Sequence, residues 1–148
     1  MGTDAQSQVT VIRPPSTEQS RQGVPQFFGV GETTSAATGI SMNLTSFPPG
    51  ASAEPHAHRD FETAIYTVSG RIALFYGERL EEHAVLEPGT FCFIPPGVPH
   101  KPYNLSLDEP AAAVVARNDP REQENVVLTP EADDGTPDRT VEALRARA

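Results

Sequence analysis

Apolar residues along this chain come in short runs, and glycine or proline closes nearly every one of them. The runs at residues 26–30, 72–76, 83–86, 90–94, 101–105, 111–116 and 125–128 are each too short for an ordinary helix, and most carry Val, Ile, Phe or Tyr between turn residues. Over residues 37–47 the pattern alternates, with Ile40, Met42 and Leu44 on one face of a strand. Roughly nine such runs, parted by turn residues, predict an all-β sandwich or barrel. A further short strand is expected at Val9 to Ile12, stopped by Pro14 and Pro15. Residues 72–76 are expected to pair back antiparallel on 64–68 across the turn Ser69-Gly70-Arg71. After Pro130 the stretch EADDGTPDRT is acidic and turn-rich, and VEALRARA predicts at most a short marginal helix.

Length and charge narrow the field. The 148 residues suit one domain with a real core, and 15 prolines and 11 glycines favour turns and strands over long helices. A net charge of −9 with a single lysine, Lys101, argues against nucleic acid or an anionic membrane as partner. No apolar run approaches the roughly 20 residues of a membrane helix, and the start MGTDAQSQ lacks the features of a signal peptide, so a cytoplasmic location is expected. One cysteine, Cys92, cannot form an internal disulfide; in Phe91-Cys92-Phe93-Ile94 it reads as a small buried thiol.

The chemistry is concentrated between Gly50 and Asn104, which hold all four histidines. His56 and His58 stand two apart and share a face of any strand, and Glu62, four residues on, keeps that parity. His100 would reach the same pocket from a later strand. Imidazole nitrogen and carboxylate oxygen suit divalent first-row metals, and a site of two or three histidines and one carboxylate that leaves open positions suits iron. Asp60 has the same parity and is a substitute for Glu62. Tyr66 shares it too, which makes it the candidate catalytic side chain. His83, beside Glu81 and Glu82, reads as an exposed histidine. Arg71, Arg79 and Arg117 are candidates to bind an anionic substrate, although isolated arginines are more often solvated.

These residues resemble the two motifs of the cupin superfamily. The second motif is matched throughout by Gly89, Pro95, Gly97, His100 and Asn104. The first is matched through Gly50, His56, His58 and Glu62, but seven residues instead of six separate Glu62 from Gly70, and a β-bulge between them would absorb the extra one. The resemblance implies a single double-stranded β-helix, the cupin jelly roll, over residues 26–128, with an N-terminal arm over 1–25 that could pair with a second subunit; the acidic composition of 129–148 predicts a flexible tail after it. It also implies one divalent transition metal on His56, His58, Glu62 and His100, with Fe(II) as first choice and Zn, Ni, Mn or Cu as alternatives. Asn104 is implied as a hydrogen-bonding residue that fixes the His100 strand. A homodimer and a small-molecule substrate follow from the same likeness. An Fe(II)-type oxygenase or dioxygenase is the first expectation; a Zn-, Ni- or Mn-dependent sugar-type isomerase or lyase is the second. A non-catalytic metal- or metabolite-binding protein is the third. The stretches ETAIYTVSG and FIPPGVPHKPYNLS also look like small bacterial cupins often labelled predicted mannose-6-phosphate isomerases, a label that rests on fold analogy.

Overall fold

A computed structural model describes residues 8–13, 18–19, 23–121 and 126–147, with Glu18 and Gln19 described as backbone only. Its elements in chain order are β1 (Glu18–Gln19), β2 (Pro25–Val30), α1 (Glu32–Ser35), β3 (Ser41–Phe47), β4 (His56–His58), β5 (Thr63–Ser69), β6 (Ile72–Tyr76), β7 (Glu82–Leu86), β8 (Phe91–Ile94), β9 (His100–Asn104), β10 (Ala111–Arg117), β11 (Val126–Leu128), a 3-10 turn (Pro130–Ala132) and α2 (Thr136–Ala146). The strands form two antiparallel sheets, ordered β1-β2-β3-β10-β5-β8 and β11-β4-β9-β6-β7. This is the expected all-β jelly roll.

Two local expectations change. Residues 9–13 form no strand, and Val9 and Val11 are exposed; a run of four residues holds strand geometry only when a neighbour pairs with it. The remainder of the 1–25 arm lies largely outside the described residues. In addition, β5 and β6 do not form a hairpin. β5 pairs with β10 and β8, whereas β6 pairs with β7 and β9 in the other sheet. The chain crosses between sheets at Gly70, where φ is +80° and an added Cβ would lie 2.5 Å from that of Ala111. Glycine is required there twice over, by its conformation and by the close approach of β10. The extra residue of the first motif is absorbed near this corner: Thr67 faces Ala113 and Ser69 faces Ala112, a register irregularity that leaves Val68 bulged.

The space between the sheets divides along its length. Phe47, Ala53, Ile72, Leu74, Leu86, Ile94, Ala111 and Ala113 make an apolar floor. Nearer the other end, β3 turns Ser41, Asn43 and Thr45 inward and leaves Ile40, Met42 and Leu44 on the outside. The strand therefore reverses the usual assignment of apolar residues to the interior. Its inward face meets the site described below.

The C-terminal stretch is neither loose nor only marginally helical. Gly135 at φ +88° and Pro137 in the first turn start α2, and Val141 and Leu144, one helical turn apart, lie on one face. That face packs with Ala132 on Ala73, Phe75, Leu80, Tyr103 and Leu105, the outer side of the five-stranded sheet. The acidic residues that suggested a tail are its fastenings. Lys101 Nζ meets Asp133 at 2.7 Å, the Tyr103 hydroxyl donates to Asp138, and the Arg145 guanidinium donates to the carbonyls of Asn104 at 2.7 Å and Leu105 at 3.0 Å. Tertiary contact thus supplies what a short helix lacks alone. No helix among the described residues is long and apolar enough to cross a membrane. Val141→Ala should cost about 2 kcal/mol, as expected for emptying a fully buried aliphatic site, and urea unfolding at constant pH will measure it. An unchanged midpoint would mean that α2 is not docked.

Candidate metal centre

His56 and His58 lie on β4 and His100 opens β9, where it stands directly opposite His56 in the antiparallel ladder. One register pair therefore joins histidines separated by 44 positions. The bend before β9 is set by Gly97 at φ +79°, whose N–H donates to the His58 carbonyl at 2.7 Å and so ties the two histidine segments together. Asn104, at the far end of β9, is fully buried. Its amide donates to the carbonyls of Phe47, Pro48 and Glu109 and accepts from the Ser106 N–H.

The three rings are buried and converge. One nitrogen from each lies within 4.8 Å of the other two, and the ring centres of His56 and His100 are 4.2 Å apart. Nδ1 of His56 is 2.7 Å from the Glu54 carbonyl, and Nδ1 of His100 is 2.9 Å from that of Val98. A carbonyl only accepts, so each Nδ1 carries the proton and each Nε2 carries a lone pair. Burial is the main cause that holds all three rings well below the ordinary histidine pKa, with His100 lowered to about 4. They are neutral imidazoles at neutral pH, the form that binds a metal. His58 Nδ1 is buried without a partner, and its Nε2 lies 3.5 Å from Nη2 of Arg117. The donors present fit one divalent metal: three neutral nitrogens with the remaining positions open.

The structure does not bring the other predicted residues to this cluster. Glu62 is exposed, lies outside the histidine group, and uses its backbone N–H to donate to Asn118 Oδ1 at 2.8 Å. Asp60 is exposed in the bend before β5. The parity argument fails because β4 ends at His58 and β5 begins at Thr63, so alternation does not carry across the bend. Phe61 turns inward instead, 4.9 Å from the His58 ring. Tyr66 is corrected for the same reason: within β5 the inward residues are Thr63, Ile65 and Thr67, while Tyr66 stands outside, 4.9 Å from the Phe91 ring. His83 is exposed and stacks on Phe75, as expected. Cys92 is half-buried and packs on the apolar floor.

Of the three arginines, Arg71 is exposed and 3.6 Å from Glu87, and Arg79 is exposed. Arg117 is buried at the end of β10 and lines the same cavity as His56, His100 and Thr63. Its place was readable. Ala111, Ala113, Val115 and Arg117 are the alternate positions of one strand, all inward.

A family model described as a cupin domain matches residues 43–117. A search of curated proteins finds no match. Among solved structures, the chain is similar to KdgF from Halomonas sp., with TM-score 0.61 and 18% identity over 78% of this chain and 96% of that one. It is also similar to an oxalate oxidase in complex with glycolate, with TM-score 0.64 and 22% identity over 99% and 82% of the two chains. A third likeness is the polyketide cyclase RemF from Streptomyces resistomycificus, with TM-score 0.60 and 20% identity over 87% and 84%. At these identities the likeness shows the fold alone.

Burial of neutral histidines has a pH consequence. As the pH falls below about 6.5 the unfolded chain takes up protons at these positions while the native chain does not. Acid therefore removes stability, on the order of 1 kcal/mol per pH unit for each histidine that stays neutral. Metal-free protein should show a lower urea midpoint at pH 5.0 than at pH 7.5, and His100→Gln should flatten the slope. A midpoint that is the same at both pH values would contradict the burial of these rings.

Proposed function

Because the chain belongs to the cupin family, we propose that it is a metal-dependent enzyme acting on a small organic molecule, with Fe(II)-type oxygenase chemistry as its reaction. The observation that carries this reading is the set of three buried, neutral imidazoles gathered within 4.8 Å, joined by no carboxylate among the described residues. His56, His58 and His100 would hold the metal, Fe(II) first, with Mn, Zn, Ni or Cu accepted by the same nitrogen donors. A redox-active divalent metal bound there supplies Lewis acidity and one-electron chemistry at its open positions. The chain supplies the rest. Two backbone carbonyls fix the tautomers of His56 and His100, and Phe61 and the apolar floor keep bulk water from the rings. Tyr66, on the outer face, has no part in this chemistry.

Metal analysis of untagged protein should give about one iron per chain, absent from His56→Ala/His100→Ala, and iron-loaded protein should consume dioxygen with its substrate. Turnover without dioxygen on Zn, Ni or Mn would replace the oxygenase by the isomerase or lyase. Failure to take up any metal would leave the non-catalytic binding protein.

A homodimer, acting in the cytoplasm, completes the proposal. Met42 and Leu44 of β3, Tyr66 and Val68 of β5, and Phe91 and Phe93 of β8 are exposed on the outer face of the six-stranded sheet, Phe91 at 80%. An apolar face of this extent is a common mark of an interface. Light scattering should give twice the chain mass, and Phe91→Asp with Phe93→Asp should give the single-chain mass. A wild-type protein of single-chain mass would refute the dimer.

A further inference from the structure

Arg117 is a charged side chain with 6% of its surface exposed, and the described residues leave most of its donors without an acceptor. Nε and Nη1 are inaccessible and unpartnered. Nη2 has only the 3.5 Å approach to His58 Nε2, at the limit of a hydrogen bond. The carboxylate nearest in sequence, Asp119, is engaged by Arg121, whose Nε and backbone N–H reach it at 3.2 and 2.9 Å. No ion pair to Arg117 occurs within 4.0 Å among the described residues. Desolvation is the largest influence on the group and lowers its pKa to about 10, against a smaller raising influence of the Asp119 charge, which leaves it charged at neutral pH. Leaving such donors unsatisfied costs several kcal/mol, of the order set by burying polar groups without partners.

The surroundings repeat the pattern. In register, Arg117 stands opposite Ser41 on β3 and Thr63 on β5. Both hydroxyls are buried and unpartnered. Three adjacent strands thus present unused donors at one level of the barrel, beside the histidines. Phe61 lies against the guanidinium, 5.8 Å from its ring centre, and supplies no acceptor.

We propose that Arg117 is the carboxylate-binding residue of this site, and that the substrate class is a compact organic acid whose carboxylate lies on the guanidinium with the Thr63 hydroxyl as a further donor. Both forks of a guanidinium share Nη2, so a carboxylate that reaches Nη2 from the cavity would take Nε or Nη1, both unpartnered and closed to water, as its second donor. A carboxylate satisfies two donors at once and returns the buried charge to neutrality. The cavity lined by Arg117, Thr63, His56 and His100 has an open volume of about 50 Å³, room for about one or two water molecules at ~30 Å³ each, which limits the anion to a few heavy atoms. The metal-dependent reading sharpens the inference, on which its chelating part rests: with no carboxylate ligand among the described residues, a divalent ion and Arg117 would together favour an anion that reaches both.

The test is calorimetric titration of the full chain, metal-free and Mn(II)-loaded, with acetate, lactate and oxalate against acetamide, lactamide and oxamide. Each acid has the shape of its amide and differs in charge. At least one acid should bind the metal-free chain about tenfold or more tightly than its amide, the loss expected for a charge-assisted hydrogen bond. Arg117→Gln should remove that preference while metal affinity holds or rises, because a positive charge has left the His58 lone pair; Arg117→Lys should retain part of it. Equal binding of every acid and its amide by the wild-type chain would overturn the proposal without recourse to a variant. Acid preference in Arg117→Gln equal to wild type would also overturn it. A chain that prefers acids but takes up no metal would refute the metal-dependent reading and leave the Arg117 site standing.

Discussion

Three imidazoles and a guanidinium are buried side by side in one barrel mouth, and the rest of the molecule accommodates that constraint. Imidazoles can be taken out of water as neutral groups at moderate cost, and the carbonyls of Glu54 and Val98 offset part of it by accepting their Nδ1 protons. A guanidinium has no neutral form available near pH 7. Beside it the inner face of β3 is polar: Ser41, Asn43 and Thr45 look into the barrel, and the apolar members of the same strand are turned outward. The site and the apolar outer sheet are two faces of one alternation.

On the opposite sheet the reverse problem is solved by α2. β6 is buried on both faces, with Ile72 and Leu74 toward the floor and Ala73 and Phe75 under the helix. The helix is fastened to β9 itself, through Lys101, Tyr103 and the carbonyls of Asn104 and Leu105. Lys101 follows His100 directly and points to the other side of the sheet. The strand that delivers the third histidine is therefore held from both faces, by Asn104 within the barrel and by α2 outside it.

How much of this could be read from the chain depends on how local each feature is. His56, His58 and His100 were legible because His-x-His fixes a shared face and the Pro-Gly bend fixes the return. Most strands were legible for the same reason, as runs closed by glycine and proline. Glu62 and Tyr66 were misplaced because parity holds only inside an unbroken strand, and the bend between His58 and Thr63 resets it. The corner at Gly70 has the same residues as a hairpin turn; only the approach of Ala111 distinguishes them, and that contact is 41 positions away. Acidic residues after Pro130 suggested solvent because their partners, Lys101 and Tyr103, lie about 30 positions earlier. Arg117 was the reverse case, since four alternate positions of β10 announced an inward arginine and charge alone argued for the surface.

The distribution of charge has a kinetic side. A chain of net charge −9 encloses a site made of neutral bases and one cation, so its outer field and its inner field have opposite signs. The outer field draws divalent cations in and slows the approach of anions, and both effects extend about one Debye length. At low ionic strength such a field favours the arrival of divalent cations over that of anions. Added salt narrows that difference in arrival, a dependence opposite in sign to the steering of anionic ligands by a basic surface.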